Sequence, residues 1–229
     1  MTRSLVPPPT NACVWIDFDG TITQQDVLDE LIKRFAIDDS WKRIEQRWQE
    51  GTIGSRECLT AQLAVVRIAD SQIDSFLDSI QLDPGLLDLI QVLDHHQVPV
   101  AVLSDGLDRF IGPLLRRTGL GHLKFRSNTF TRSTEILQLQ CPFASPTCES
   151  ASAHCKCRSM TDLAHPRTDW IYIGDGRSDL CPSRKSTCRF AKGVLAANLQ
   201  REQLPFLPYE NLHQIATLLK TLWPTPSKE

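Results

Sequence analysis

The sequence predicts an α/β protein built on a parallel sheet, with a block of helices inserted after the first strand. Three observations carry this. Three short apolar runs, Ala12–Ile16, Val98–Leu103 and Trp170–Ile173, read as buried strands, and each runs into a polar loop bearing an aspartate. Apolar residues at helical spacing fill the intervals between them. The stretch from Thr23 to Leu93 is helical in period but has no strand of its own. Strands alternating with helices are the pattern of a parallel sheet.

Each element follows from local pattern. The first strand, Ala-Cys-Val-Trp-Ile, leads into Asp17-Phe18-Asp19-Gly20-Thr21. Val27, Leu28, Leu31, Ile32 and Phe35 then recur at helical spacing, as do Leu59, Leu63 and Val66, and later Ile73, Phe76, Leu77 and Ile80. Gly51 and Gly54 interrupt this stretch, and Asp83-Pro84-Gly85 is a turn before a helix over Leu86–Leu93. Trp41 and Trp48 share a helical face and are expected to pack the insertion. Val98–Leu103 is followed by Ser104-Asp105-Gly106 and a helix over Phe110–Arg117. Residues 122–140 alternate and predict two strands, and Met160–Ala164 ends a short helix. Trp170–Ile173 leads into Gly174-Asp175-Gly176-Arg177-Ser178-Asp179. Phe190–Lys192 is a weaker fourth strand, and Leu212–Leu222 is a closing helix. The expected organisation is a flexible lead at 1–10, a sheet domain from 11–23 and 97–229, and a helical cap at 24–96 folded over the strand ends.

Composition narrows the partners. The chain has 229 residues, with 25 Lys+Arg against 27 Asp+Glu, and a net charge of −2. That balance disfavours nucleic acid and polybasic membrane binding. No apolar run approaches the ~20 residues that cross a bilayer. Residues 1–11 carry three consecutive prolines and no hydrophobic segment, so a cytoplasmic location is expected. Eight cysteines are many for such a chain, and four fall within Cys141–Cys157. Their spacing is not that of a standard zinc site. A Zn²⁺ ion at this loop, a disulfide such as Cys148–Cys155, and free thiols are its three readings.

The chemistry lies past the strand ends, where open α/β sheets bind ligands. Asp17 and Asp19 can both face one pocket, one as nucleophile and one as proton shuttle. Gly20 lets backbone approach a ligand, and Thr21 suits capping the next helix. Asp175 and Asp179 add carboxylates, and a hard cation such as Mg²⁺ relieves their repulsion. Ser104 and the amides of Asp105 and Gly106 suit phosphate oxygens, and a lysine completes the charge balance. Each loop alone reads more readily as a turn or cap than as a catalyst; the three in this order carry the argument.

These motifs resemble those of the haloacid dehalogenase superfamily phosphatases, over nearly the whole chain. The resemblance implies a Rossmann-like core, a helical cap between the first two motifs, and an aspartyl-phosphate intermediate. It implies that Asp17 is nucleophile and Mg²⁺ ligand. Asp19 would be the acid/base and would lend the metal its backbone carbonyl. Ser104, Asp105 and Gly106 would hold the phosphoryl group, and Asp175 and Asp179 would be further ligands. Lys156 and Arg158 both qualify as the third-motif cation, and charge placement favours Lys156.

Within that superfamily, Cys155-Lys156 and the tail Leu207–Leu212 resemble the methionine-salvage branch that hydrolyses 2-hydroxy-3-keto-5-methylthiopentenyl-1-phosphate. Phosphoserine phosphatases hold their substrate with a cap Glu and a cap Arg. Here Asp26 takes the first place, and Thr60 and Gln62 stand in the Arg region, so a substrate carboxylate loses its bidentate partner. The methionine-salvage ester is therefore the first expectation. Phosphoserine and phosphocholine- or phosphoethanolamine-type esters are alternatives. A non-catalytic phosphometabolite-binding protein is the alternative from another class, and the intact set Asp17, Asp19, Lys156 and Asp175 speaks against it. The expected partner is a small phosphorylated metabolite, met by a monomer or homodimer.

Overall fold

In the computed structural model of the chain, residues 8–9, 11–133, 136–164 and 168–223 are described. Most of the expected lead at 1–10 lies outside them. The chain opens with β1 (Ala12–Ile16), the centre of a seven-stranded sheet. Four helices follow: α1 (Val27–Phe35), α2 (Ser40–Gln49), α3 (Ser55–Ala64) and α4 (Asp70–Asp78). Then come α5 (Leu86–His95), β2 (Val100–Leu107) and α6 (Asp108–Arg117). A hairpin of β3 (Lys124–Ser133) and β4 (Ile136–Gln140) fills the alternating stretch. After α7 (Lys156–Leu163) come β5 (Asp169–Gly174), α8 (Leu180–Arg184), β6 (Cys188–Ala191), α9 (Gly193–Arg201), β7 (Leu207–Pro208) and α10 (Leu212–Leu222).

The strand order is β4-β3-β2-β1-β5-β6-β7, parallel except for β3 with β4. Burial of β1 on both faces explains its unbroken apolar run. Ala12, Val14 and Ile16 enter the larger core, and Cys13 and Trp15 enter a smaller one beneath α7 with Met160 and Tyr172. Register sets the site. Ile16 pairs with Val102 on one side and Ile173 on the other, so the chain leaves all three strands at one level. The strand order reverses at this point, and there the crevice opens.

The insertion is closed at its neck by a bridge between Thr23 and Leu82. Asp26 is the N-cap of α1, accepting from the Asp29 amide at 2.9 Å; Thr21, expected in that role, turns instead toward β5. The inserted helices do not stand clear of the sheet domain. One apolar cluster runs from Ile16 through Leu31, Leu63 and Leu77 to Phe110, and Phe76 meets Phe110 edge-on at 5.5 Å. Arg117 of α6 pairs with Asp74 and Asp78 of α4. Helix α5 lies within the span expected for the cap, yet it packs on α10 beside the sheet. Asp83 fixes that contact, its Oδ1 accepting from the amides of Gly85 and Leu212. Helices α8 and α9 and the short β7 were not expected from the apolar pattern. No helix among the described residues is long and apolar enough to cross a membrane.

Gly85 sits where α5 meets α10, and a Cβ there would lie 1.9 Å from the His213 backbone nitrogen. Backbone cannot yield as a flexible side chain does. Gly85→Ala should lower unfolding free energy by ~1–3 kcal/mol or more, read from urea titration. An unchanged midpoint would mean the α5–α10 contact adjusts freely.

Candidate active site

Three carboxylates meet past the strand ends, with ligand oxygens of Asp17, Asp175 and Asp179 all within 4.8 Å of one another. A buried ammonium holds two of them. Lys156 Nζ donates to Asp17 Oδ1 at 2.5 Å and to Asp179 Oδ1 at 2.6 Å. Burial alone lowers a lysine's pKa, but Asp17, Asp179 and Asp105 outweigh it and hold this one above its usual value. Burial, then Asp179, push the Asp17 carboxyl well above the ordinary range, and Lys156 pulls it back. Arg158 does not reach the site. It is exposed, near Asp162 and the Ala144 carbonyl.

Asp179 is fully buried and does not open on the cavity. Its Oδ1 also accepts from the Tyr172 hydroxyl at 2.5 Å, and its Oδ2 accepts from the amides of Asp175 and Gly176. With four donors engaged, it braces Lys156 and the 175–179 loop. Sequence reasoning missed Tyr172, whose only signal was its alternation against Ile171 and Ile173 on β5.

Asp19 is held from two sides. Its Oδ1 accepts from the Val27 amide at 3.0 Å and its Oδ2 from the Ser104 hydroxyl at 2.9 Å. Burial raises its carboxyl above the ordinary range, against those two donors. Ser104 Oγ accepts in turn from the Gly106 amide. Behind this loop lies His154, also missed in the sequence. Its amide donates to Asp105 Oδ1 at 2.7 Å, and its Nδ1 lies 2.8 Å from the Ser104 carbonyl. A carbonyl only accepts, so Nδ1 carries the proton and Nε2 accepts from Ser159 Oγ at 2.7 Å. Ser159 lies one turn after Lys156, so His154 ties the Lys156 helix to the Ser104 loop.

Asp175 is positioned by residues distant in sequence. Thr21 Oγ1 donates to its Oδ1 at 2.8 Å, and the Tyr209 hydroxyl donates to the Gly174 carbonyl at 3.3 Å. Burial and Asp179 raise its carboxyl to about 6, against the Thr21 bond. Gly20, at φ +73°, passes so close that a Cβ would lie 2.5 Å from Asp175 Oδ2. Asp17 and Asp175 thus present crowded hard oxygens to the cavity, a donor set that fits a small divalent cation. Among the described residues, the cysteine loop gathers no comparable group of three ligands. All eight cysteines are free thiols.

The cavity above has a volume of about 510 Å³. Asp17, Asp19, Asp105, Gly106 and Asp175 form its floor, while Ser104, Lys156 and Asp179 lie behind that floor. The inserted helices form the roof with Asp26, Leu28, Asp29, Ile32, Glu45, Trp48, Leu59 and Gln62. The expected cap residues Asp26 and Gln62 are thus both present, with Gln62 Nε2 donating to Glu45 Oε2 at 3.0 Å. The two tryptophans divide: Trp41 packs on the core, while Trp48 faces the cavity with the Arg177 guanidinium 5.5 Å over its ring.

An aspartate pair at the end of a central strand, a buried lysine on it and a helical roof define a phosphatase of the haloacid dehalogenase superfamily, a phosphoric monoester hydrolase. The chain belongs to the family described as Putative Phosphatase, whose model matches residues 12–192. It is 24% identical over 212 residues to the 2-hydroxy-3-keto-5-methylthiopentenyl-1-phosphate phosphatase of Bacillus mycoides (strain KBAB4), covering 91% of this chain and 96% of that one. Its fold is similar to that of a haloacid dehalogenase family hydrolase from Salmonella enterica serovar Typhi, with TM-score 0.74 and 21% identity over 94% of this chain and 74% of that chain. A phosphoserine phosphatase solved as a phospho-aspartyl intermediate analogue superposes with TM-score 0.71 at 16% identity, over 93% of this chain and 99% of that chain.

Burial lowers the His154 imidazole to about 4, so the folded chain keeps it neutral. Its pKa is depressed by folding, so the stability it contributes is present above the unfolded value of ~6.5 and is lost as pH falls toward 4. Relative to His154→Gln, the native chain should be ~2 kcal/mol less stable at pH 5 than at pH 7. Urea titrations at the two pH values measure this; parallel shifts of both chains would place a charged imidazole in the native fold.

Proposed function

We propose that the chain is a Mg²⁺-dependent phosphomonoesterase for a small metabolite, working through an aspartyl phosphate on Asp17. The single observation carrying this is Lys156 Nζ at 2.5 Å from Asp17 at the floor of a roofed cavity. The ammonium favours the ionised form of Asp17 against a burial that favours the protonated one. Asp17 then attacks phosphorus in line. Asp19, its carboxyl raised by burial, carries the proton that the leaving oxygen needs. The same carboxylate takes a proton from the water that cleaves the acyl phosphate. Ser104 and the Gly106 amide orient the phosphoryl oxygens, and Asp179 with Tyr172 holds Lys156 in place. When bound by Asp17, Asp175 and the Asp19 backbone, Mg²⁺ supplies charge neutralisation for the transferring group.

For the leaving group, the first reading is 2-hydroxy-3-keto-5-methylthiopentenyl-1-phosphate. It is supported by the 24% identity to the Bacillus enzyme and by the apolar roof of Leu28, Ile32 and Leu59, which suits a thioether. The roof's carboxylates favour a second reading. Asp26, Asp29 and Glu45 line it beside Trp48, and Arg177 is the only basic residue among the lining residues. Carboxylates with an aromatic face suit a cationic amino-alcohol ester such as phosphocholine or phosphoethanolamine. Phosphoserine fits less well, because its carboxylate would meet these carboxylates, with Gln62 already bound to Glu45.

Phosphate release from a panel of these esters, with and without Mg²⁺, tests the reading. Asp17→Asn should abolish release. Asp19→Asn should slow alkyl esters by ~10²–10⁴. It should slow p-nitrophenyl phosphate far less, since that leaving group needs no proton. Activity surviving in Asp17→Asn would remove the nucleophile from this account.

A further inference from the structure

The reaction above leaves the cysteines unused, and one of them meets a thiol from outside its loop. Cys157 Sγ lies 3.0 Å from Cys181 Sγ. That is ~1 Å longer than the 2.05 Å of a disulfide bond. The pair joins the two elements that carry the buried ion pair. Cys157 follows Lys156 in the first turn of α7, and Cys181 stands two residues after Asp179 in the first turn of α8. Cys157 is buried, whereas Cys181 is half-buried and open to a small solute.

We propose that Cys157 and Cys181 form a dithiol modification site, closed to a disulfide by a peroxide-class oxidant, and that closure slows phosphoryl transfer by shifting Lys156. The second half rests on the phosphatase reading; the first does not. In the oxidation, the Cys181 sulfur attacks one peroxide oxygen and the O–O bond breaks, giving a sulfenic acid and one water. The Cys157 sulfur then displaces the hydroxyl, forming the S–S bond and releasing a second water. Two thiols lose two electrons and two protons, and the peroxide is reduced to two waters. A dithiol reductant reverses the change.

The consequence for the site follows from the geometry. Drawing the sulfurs together moves the start of α7 or of α8 by up to ~1 Å. Lys156 is fixed by bonds of 2.5 and 2.6 Å to groups just past β1 and on the turn before α8, with no slack to absorb that shift. Misplacement of this size at a reacting centre can cost ~10²-fold. Cys148 is the competitor. Burial raises its thiol, but hydrogen bonds from Ser150 and Ser152 outweigh this and bring it to about 7. It neighbours Cys155, the pairing that the sequence suggested.

The test treats the full chain with a few equivalents of hydrogen peroxide, removes the excess, and maps a non-reduced digest. The expected result is a Cys157–Cys181 cross-link, a fall in turnover of p-nitrophenyl phosphate of about tenfold or more, and recovery in dithiothreitol. Cys181→Ser should keep its turnover under peroxide. A map showing Cys148–Cys155 alone, or no cross-link, overturns the site. A Cys157–Cys181 cross-link with unchanged turnover overturns the control of Lys156. The map is made on the native sequence, so it stands even if the variant fails to fold. A chain that releases no phosphate from any ester would sink the phosphatase reading and leave the cross-link result intact.

Discussion

Everything at the centre of this molecule depends on one buried ammonium between two buried carboxylates. Asp17, Asp175 and Asp179 converge in a place where water does not screen them. Burial and repulsion from neighbouring carboxylates favour protons on Asp17 and Asp175. Lys156 opposes that at Asp17, and the geometry it needs is demanding. A buried ion pair offsets its desolvation only when every remaining donor and acceptor is satisfied. Here Asp179 meets Tyr172 and two backbone amides as well as the lysine. Removing one partner of such an arrangement typically costs ~3–5 kcal/mol, because the other charges stay behind. The same interaction therefore stabilises the fold and favours the ionised form of Asp17.

That constraint explains the order of the strands. Asp17 comes from the central β1, while Asp175 and Asp179 follow its neighbour β5 and Ser104 lies on its other neighbour β2. Parallel pairing in register delivers all of them to one edge. No local sequence segment could supply both the lysine and the two carboxylates it holds. The burial of β1 on both faces makes its register rigid, since a slip of one residue would exchange the contents of the two cores.

The floor of the site was legible because its residues lie on short motifs tied to strand ends. Asp17, Asp19, Ser104 and Asp175 each follow an apolar run, and a parallel sheet brings such positions together. The groups that tune them were not legible, because they act across long separations with no local signature. Tyr172 is hidden within an apolar strand. Tyr209 stands 34 residues after Asp175 and His154 stands 50 after Ser104. Thr21 was visible, but its position before a helix suggested a cap, and the partner it found on β5 could not be seen. The choice of Lys156 over Arg158 rested on charge placement, and the helix that starts at Lys156 turns Arg158 two residues on toward solvent. The extent of the insertion was hardest to read. Helical periodicity continues into α5, and only the Asp83 bonds and the α10 contact assign that helix to the sheet side.

Roof and floor are joined by the segment that also carries the lysine. The Arg56 amide donates to the Ala151 carbonyl, and the Ala153 amide donates to Ser55 Oγ, so the start of α3 rests on the cysteine loop. A few residues later the same strand of chain binds Asp105 through His154 and then becomes α7. The start of α3 is therefore linked to the Ser104 loop and to α7 through about six residues of backbone that are hydrogen-bonded at both ends. The opposite edge of the roof is held by Arg177, whose guanidinium covers Trp48 and donates to its carbonyl at 3.3 Å. Both contacts run between the helices that roof the cavity and the loops that form its floor. The roof and the floor of the cavity are consequently joined on two sides in this fold, and the cysteine loop carries one of those joins.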